Sequence, residues 1–300
     1  MLYIASLICA PKQPVLDDRL LARATAALPA AGLPEWLARG IAAEIPFVPA
    51  GADLGDVLAQ ARAALGDVAA DLNLLPAEDR RKKLLLADMD STMIEQECID
   101  ELADLVGKKE YVAAITERSM RGEIAIEPAL IERVALMKGV KLSQIEQLIA
   151  ERLTLTPGAQ TLVATMRAHG ARTVLVSGGF TLFTGPIAER IGFDEHRGNI
   201  LELDGDRLAG TLARPILGRE GKRTALTELR SKLGLKDAET LAIGDGANDL
   251  DMIDEAGLGV AYHAKPVVAA AADARIEHGD LTAILYLQGY RQDQFSGTRT

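Results

Sequence analysis

The sequence predicts an α/β protein: a doubly wound parallel sheet with a helical cap inserted after its first strand, preceded by a small α+β unit. Three observations carry this expectation. Leu84-Leu-Leu-Ala87 is an apolar run without alternation, which suits a strand buried on both faces. From residue 84 onward such runs alternate with helical patterns, the order that winds a parallel sheet. Before it, residues 1–76 read as strand, helix, strand, strand, helix, strand, a ferredoxin-like βαββαβ sandwich.

Taken in order, Leu2 to Cys9 predicts a strand, Asp17 to Ala31 an Ala/Leu-rich helix and Trp36 to Val48 mostly strand. Leu54 to Leu65 predicts a second helix and Val68 to Leu75 a closing strand. Residues Pro76 to Lys83, rich in charge, read as a solvated linker. After Thr92 four amphipathic segments, Glu95–Val106, Glu110–Met120, Pro128–Met137 and Ser143–Ala150, are punctuated by Gly107, Gly122 and Gly139. Placed directly after the first strand, they form a cap over its end, at about residues 95–153.

Thr156-Pro157 reads as a helix start, with Thr at the cap, and Gly170 as its stop. Thr173-Val-Leu-Val176 is a second apolar strand, and a helix is expected from Phe180 to Ile191. Asn199–Leu203 and Arg207–Leu212 flank Asp204-Gly205-Asp206, a hairpin signal. Helix 220–233, strand 240–243, helix 249–256 and strand 258–261 complete the main unit, expected over 84–292 with a linker at 77–83 and a frayed tail at 293–300.

With 33 basic against 43 acidic residues, a formal charge of −10 and no basic stripe, the composition disfavours a nucleic-acid partner. Cys9 and Cys98 lie far apart in apolar company, so no disulfide framework or zinc spacing is expected and a reducing cytoplasm suits the chain. Met1 to Ala10 lacks a basic leader segment and is broken by Pro11, Lys12 and Pro14, so no signal peptide is expected, and no run suggests a membrane span.

The chemistry gathers at strand ends. Asp88 and Asp90, at i and i+2, leave the same face while the chain stays extended, at the carboxyl end where open α/β sheets hold ligands. Two neighbouring acids raise each other's pKa and cost stability, a conflict that a Mg²⁺ ion would resolve. Asp90, Ser91 or Thr92 could instead simply cap a helix. Ser177-Gly178-Gly179 offers a hydroxyl and close N–H groups, the makings of an anion nest, or else an ordinary turn. Gly244-Asp245-Gly246-Ala247-Asn248-Asp249 brings more carboxylates with glycines that let the backbone bend around an ion, although Asp249 could merely cap a helix. Lys222 could place a point charge on a phosphate or be a solvated helix lysine.

In this order, Asp88-Met-Asp90-Ser-Thr92, Ser177-Gly178, Lys222 and Gly244-Asp245-Gly246-Ala-Asn248-Asp249 resemble the four motifs of the haloacid dehalogenase-like phosphatases. Glu97 and Arg133 stand where the phosphoserine-specific branch of that family carries a Glu and an Arg in its helical cap. The resemblance covers about residues 80–290 and implies a Rossmann-like fold and a covalent two-step mechanism. Asp88 would be the nucleophile, and Asp90 the general acid and then base. Mg²⁺ would be held by the Asp88 carboxylate, the Asp90 backbone carbonyl and Asp245, with Asp249 steadying its waters. Ser177, Gly178 and Lys222 would hold the phosphate oxygens, Asn248 would help place the substrate, and Arg133 and Glu97 would read the α-carboxylate and α-ammonium of phosphoserine. Met120 would add an apolar wall or serve only as core.

Related phosphatases often carry ACT-like modules in front of this unit, which pair subunits and sometimes bind amino acids. Here the loop Ala10-Pro-Lys-Gln-Pro14 lacks the glycine expected where a ligand approaches the backbone, favouring a dimerising or structural role over serine sensing. The expected activity is Mg²⁺-dependent hydrolysis of phosphoserine in serine biosynthesis. A phosphatase or phosphotransferase for another small phosphomonoester, such as phosphohomoserine, is the rival within the fold. An amino-acid-binding regulatory protein with a non-catalytic phosphate site is the rival outside it.

Overall fold

The structure is a computed structural model that describes residues 1–121 and 123–297; Gly122 and the side chains of Met120 and Ile126 lie outside the described residues, and with them the expectations placed on Gly122 and Met120. The N-terminal unit runs β1 (Tyr3–Cys9), α1 (Asp18–Ala27), β2 (Glu35–Ala38), β3 (Ala42–Phe47), α2 (Leu54–Leu65) and β4 (Ala70–Pro76). Its antiparallel sheet has the order β2-β3-β1-β4. Asp17 starts α1 by accepting the Leu20 N–H, and Asp53 does the same for α2 with Gly55 and Asp56. Trp36 to Val48 is divided by a tight turn at Gly40 into two strands, as a βαββαβ unit requires.

The main sheet begins at β5 (Leu84–Ala87), whose four residues are all fully buried, as its unbroken apolar run implies. Then come the cap helices α3 (Cys98–Asp104), α4 (Lys109–Met120), α5 (Ile126–Ala135) and α6 (Leu142–Arg152). The winding resumes with α7 (Ala159–Ala168), β6 (Arg172–Phe180), α8 (Thr181–Ile191), β7 (Glu195–Asn199) and the hairpin β8 (Leu201–Asp204) with β9 (Arg207–Leu212). It closes with α9 (Arg219–Lys232), β10 (Thr240–Gly244), α10 (Leu250–Glu255), β11 (Gly259–Tyr262), α11 (Pro266–Ala271), β12 (Ala274–Ile276) and α12 (Ala283–Leu287). The six parallel strands lie in the order β12-β11-β10-β5-β6-β7, so β5 sits centrally beside β10 and β6. The topology reverses direction around β5, which opens a crevice at the strands' carboxyl ends.

Several local expectations are corrected. α7 does not start at Thr156-Pro157: Gly158 takes a left-handed φ of +86° and the helix begins at Ala159. A Cβ at Gly158 would lie 2.7 Å from the Thr282 nitrogen, so close docking against that segment, rather than a Thr cap, sets the start. β7, β12, α11 and α12 were not expected, since short segments with little periodicity give no signal. The supposedly frayed tail is ordered as far as it is described: the Ser296 N–H donates to Thr165 Oγ1 at 2.8 Å and Phe295 packs on Tyr286. Residues 298–300 lie outside the described residues.

Residues 77–83 are not a solvated linker throughout. Lys82 is buried, its ammonium donating to the carbonyls of Asp79 and Ala238 at 2.8 and 2.7 Å. Arg80 forks onto Glu44 of β3, with Nη1 to Oε2 at 2.9 Å, and also donates to the carbonyl of Leu287. Beside this pair, Asn73 of β4 exchanges two hydrogen bonds with the backbone of Arg275, and Asp71 accepts the N–H groups of Glu277 and Gly279. Arg80 thus ties β3 to α12, while Asn73 and Asp71 join β4 to β12 and the turn after it. Glu44→Ala, which strands a mostly buried guanidinium, is expected to lower unfolding free energy by about 3 kcal/mol in denaturant titration; a loss under about 0.5 kcal/mol would show the pair to be idle.

Candidate active site

Asp88 follows β5 directly and its N–H donates to the Ile243 carbonyl at 2.9 Å, so pairing with β10 holds the acid at the crevice. The chain then turns through Ser91, whose φ is +54°, and returns. That return brings the Cys98 N–H to Asp90 Oδ1 at 2.7 Å, and β6 adds the Ser177 hydroxyl to Oδ2 at 3.1 Å. Ser91 Oγ donates to Glu97 Oε1 at 2.6 Å, fixing the cap glutamate above the same turn.

On the far side, Lys222 is fully buried, with Nζ 2.5 Å from Asp88 Oδ1 and 2.6 Å from Asp249 Oδ1. It thus donates to two carboxylates while lining the cavity where a phosphate is expected. The other oxygen of Asp249 accepts the N–H groups of Asp245 and Gly246. Gly244 makes room for it, since a Cβ there would sit 2.4 Å from Asp249 Cγ. Thr92 donates to Asp245 at 3.3 Å. Apart from Asp249, the candidate site residues Asp88, Asp90, Glu97, Arg133, Ser177, Gly178, Lys222, Asp245 and Asn248 all line one cavity of about 630 Å³. Asn248 Oδ1 is buried and has no partner among the described residues, an acceptor awaiting a donor.

One expectation fails on backbone grounds. Gly178 and Gly179 continue the extended strand β6 and neither adopts positive φ, so Ser177-Gly178-Gly179 is not an anion nest. The Ser177 hydroxyl also accepts the Gly179 N–H at 2.8 Å. Asn199, not singled out in the sequence, staples this strand end to the segment before α9: its amide donates to the carbonyls of Gly178 and Leu217, and its oxygen accepts the Leu217 N–H at 2.7 Å. An asparagine at a strand end reads as an ordinary turn residue, so no sequence signal marked it.

Asp88, Asp245 and Asp249 each offer an oxygen within 4.8 Å of the others. Burial and the charge of Asp249 push the Asp88 carboxyl well up, although Lys222 opposes this. Burial and Asp249 push Asp245 up to about 7. Burial would lower the Lys222 ammonium, but Asp249 and Asp88 outweigh it and hold it above its ordinary range, so the lysine keeps its proton. Three buried acids around one lysine leave an excess of negative charge, and an all-oxygen donor set suits Mg²⁺. Because Asp245 titrates near 7 folded and 3.8 unfolded, metal-free stability falls as pH rises through that window. Mg²⁺ binds the deprotonated acids, so millimolar Mg²⁺ is expected to raise the melting temperature by roughly 3 °C or more at pH 8 and much less at pH 5. Equal shifts at both pH values would count against this cation site.

In the cap, burial pushes the Glu97 carboxyl well up, with Asp90 and Asp245 adding to it. Arg133 is 3% exposed, its Nε donating to the Ala129 carbonyl and its Nη1 to Thr116 Oγ1. From the neighbouring position, Glu117 reaches Lys265 at 3.1 Å, and the Lys265 N–H donates to the Asp245 carbonyl, so the cap is tied to the loop that carries the acids. Neither Thr116 nor Lys265 stood out in the sequence.

A parallel sheet bearing paired acids, a buried lysine and a helical cap at its switch point defines a phosphoryl-transfer class of α/β protein. The haloacid dehalogenase-like hydrolase family model matches residues 85–254, and the chain belongs to that family. It is 47% identical over 210 residues to a phosphoserine phosphatase of Albidiferax ferrireducens, an alignment spanning 68% of this chain and 89% of that one. A solved phospho-aspartyl intermediate analogue of phosphoserine phosphatase superposes with a TM-score of 0.66 at 36% identity, covering 69% of this chain and 98% of that one. A haloacid dehalogenase-family hydrolase from Salmonella enterica serovar Typhi, 26% identical, superposes over 97% of this chain and 99% of its own with a TM-score of 0.81.

Proposed function

We infer that this chain is a phosphatase that hydrolyses O-phospho-L-serine to L-serine and phosphate. The observation that carries the reading is that Glu97 and Arg133 of the cap line the same cavity as Asp88 and Asp90. An acid and a guanidinium suit the two ends of an amino acid, while the acid pair suits its phosphate.

In the first step an Asp88 oxygen forms a bond to phosphorus as the bond from phosphorus to the seryl oxygen breaks. Asp90, entering as the carboxylic acid, gives its proton to that oxygen, and L-serine leaves. In the second step water attacks the phosphorus of the aspartyl-phosphate, Asp90 takes the water's proton, and phosphate and the free Asp88 carboxylate are restored. The hydrogen bonds from Cys98 and Ser177 hold Asp90 in place for both transfers. Lys222, clamped between Asp88 and Asp249, keeps positive charge beside the nucleophile. Asp88, Asp245 and the Asp90 carbonyl would hold Mg²⁺, with Asp249 in support. When bound, the ion neutralises charge on the phosphoryl group.

The place in metabolism is serine biosynthesis in the cytoplasm; no described helix is long and apolar enough to cross a membrane. We divide the chain into an ACT-like unit at 1–76, a connecting segment at 77–83 and the catalytic unit at 84–292, with the first of these as the surface for a homodimer. The test is phosphate release from a panel of small phosphate esters, with Mg²⁺ and with chelator. Phosphoserine is expected to lead by kcat/KM and to require the ion. Preference for phosphohomoserine, transfer to an alcohol, or binding without turnover would each overturn the reading.

A further inference from the structure

We propose that Thr116, backed by Asp100, is a positioning residue that sets the Arg133 guanidinium for the carboxylate of the substrate; this rests on the reading of Arg133 given above. Arg133 lies on α5, and its Nε–H is taken by the Ala129 carbonyl of its own helix at 2.9 Å. Its Nη1 donates to Thr116 Oγ1 on α4 at 2.8 Å. The Thr116 hydroxyl has one hydrogen and two acceptors within reach: Asp100 Oδ1 on α3 at 2.7 Å and the Val112 carbonyl at 3.0 Å. The carboxylate is nearer and charged, so it takes the hydrogen. Donation therefore runs from Arg133 to Thr116 to Asp100, linking three cap helices.

Both Arg133 and Thr116 are 3% exposed, so water does not stand in for either partner. Burial pushes the Arg133 guanidinium below its ordinary value, and Asp100 is the foremost charge opposing this, ahead of Glu97 and Asp90. Nη2 makes no hydrogen bond among the described residues, and Arg133 lines the cavity, so one edge of the fork is held while the other stays available. An arginine ordered before its ligand arrives avoids the cost of freezing a long side chain on binding. None of these hydrogen bonds goes to Asp88 or Asp90, so the main effect of the network is expected on recognition of the carboxylate.

The test compares phosphoserine with phosphoethanolamine, which keeps the ammonium and the phosphate and lacks the carboxylate. Thr116→Val preserves shape, removes the hydroxyl and leaves a buried N–H unpaired. It is expected to lower kcat/KM for phosphoserine roughly tenfold or more, mainly through KM, and that for phosphoethanolamine by less than about threefold. Thr116→Ser, which keeps the hydroxyl, is expected to stay within about threefold of the parent on both, and Asp100→Asn to fall between. If Thr116→Val does not fold, Asp100→Asn carries the comparison, since it keeps size and removes charge. Equal losses on both esters, no loss, or a Thr116→Ser variant as impaired as Thr116→Val would overturn the assignment. Arg133→Ala in the same assay separates the two readings. If it fails to discriminate between the esters, the role of Arg133 is wrong. If it discriminates and Thr116→Val does not, only the relay is wrong.

Discussion

Asp88→Asn is expected to reduce phosphate release from phosphoserine by at least roughly 10⁴-fold, because an amide cannot form the acyl phosphate and the nucleophile acts as one unit with its partners. The fold should survive. Asp88 is buried beside Asp245 and Asp249, and its carboxyl is pushed up by burial and by the charge of Asp249. A neutral amide of the same size removes that repulsion, while Lys222 retains Asp249 at 2.6 Å. The metal-free variant should therefore melt no lower than the parent, which separates loss of chemistry from loss of structure. Near-parental turnover, with deamidation excluded by mass spectrometry, would remove Asp88 as the nucleophile.

Arg133→Ala is expected to lose roughly 30-fold or more in kcat/KM for phosphoserine, the usual scale for removing one partner of a desolvated charge pair. Activity on p-nitrophenyl phosphate should fall by less than about threefold, since Asp88, Asp90 and Lys222 still face that phosphate. Arg133→Lys sharpens the test by keeping the charge and losing the planar fork; it is expected to recover only part of the loss, because the contact depends on geometry as well as sign. Equal loss on both esters would make Arg133 a structural residue of the cap. That outcome has a concrete route here, since its guanidinium already bonds to Ala129 and Thr116 inside the cap.

The sequence by itself determined the central strand, the parallel winding and the order in which the acids appear. Those features are local: a strand buried on both faces must be an unbroken apolar run, and Leu84 to Ala87 is one. The acids at 88, 90, 245 and 249 were legible because carboxylates at strand ends have no packing reason to be there. What the chain order did not disclose is which charge answers which. Lys222 lies 134 residues from Asp88 and 27 from Asp249, and only the packing of α9 against α10 and β6 brings one ammonium onto both. Buried charges in the 77–83 segment were misread for the same reason: from sequence a run of charge resembles a solvated surface, and Glu44, the partner that takes Arg80 out of water, is 36 residues away. Thr116 carries no mark at all, being an ordinary helix residue until Arg133 and Asp100 converge on it from two other helices. Local pattern is set by what each residue needs from solvent, whereas pairing between distant polar groups is set by which elements pack together, and packing is a property of the tertiary structure alone.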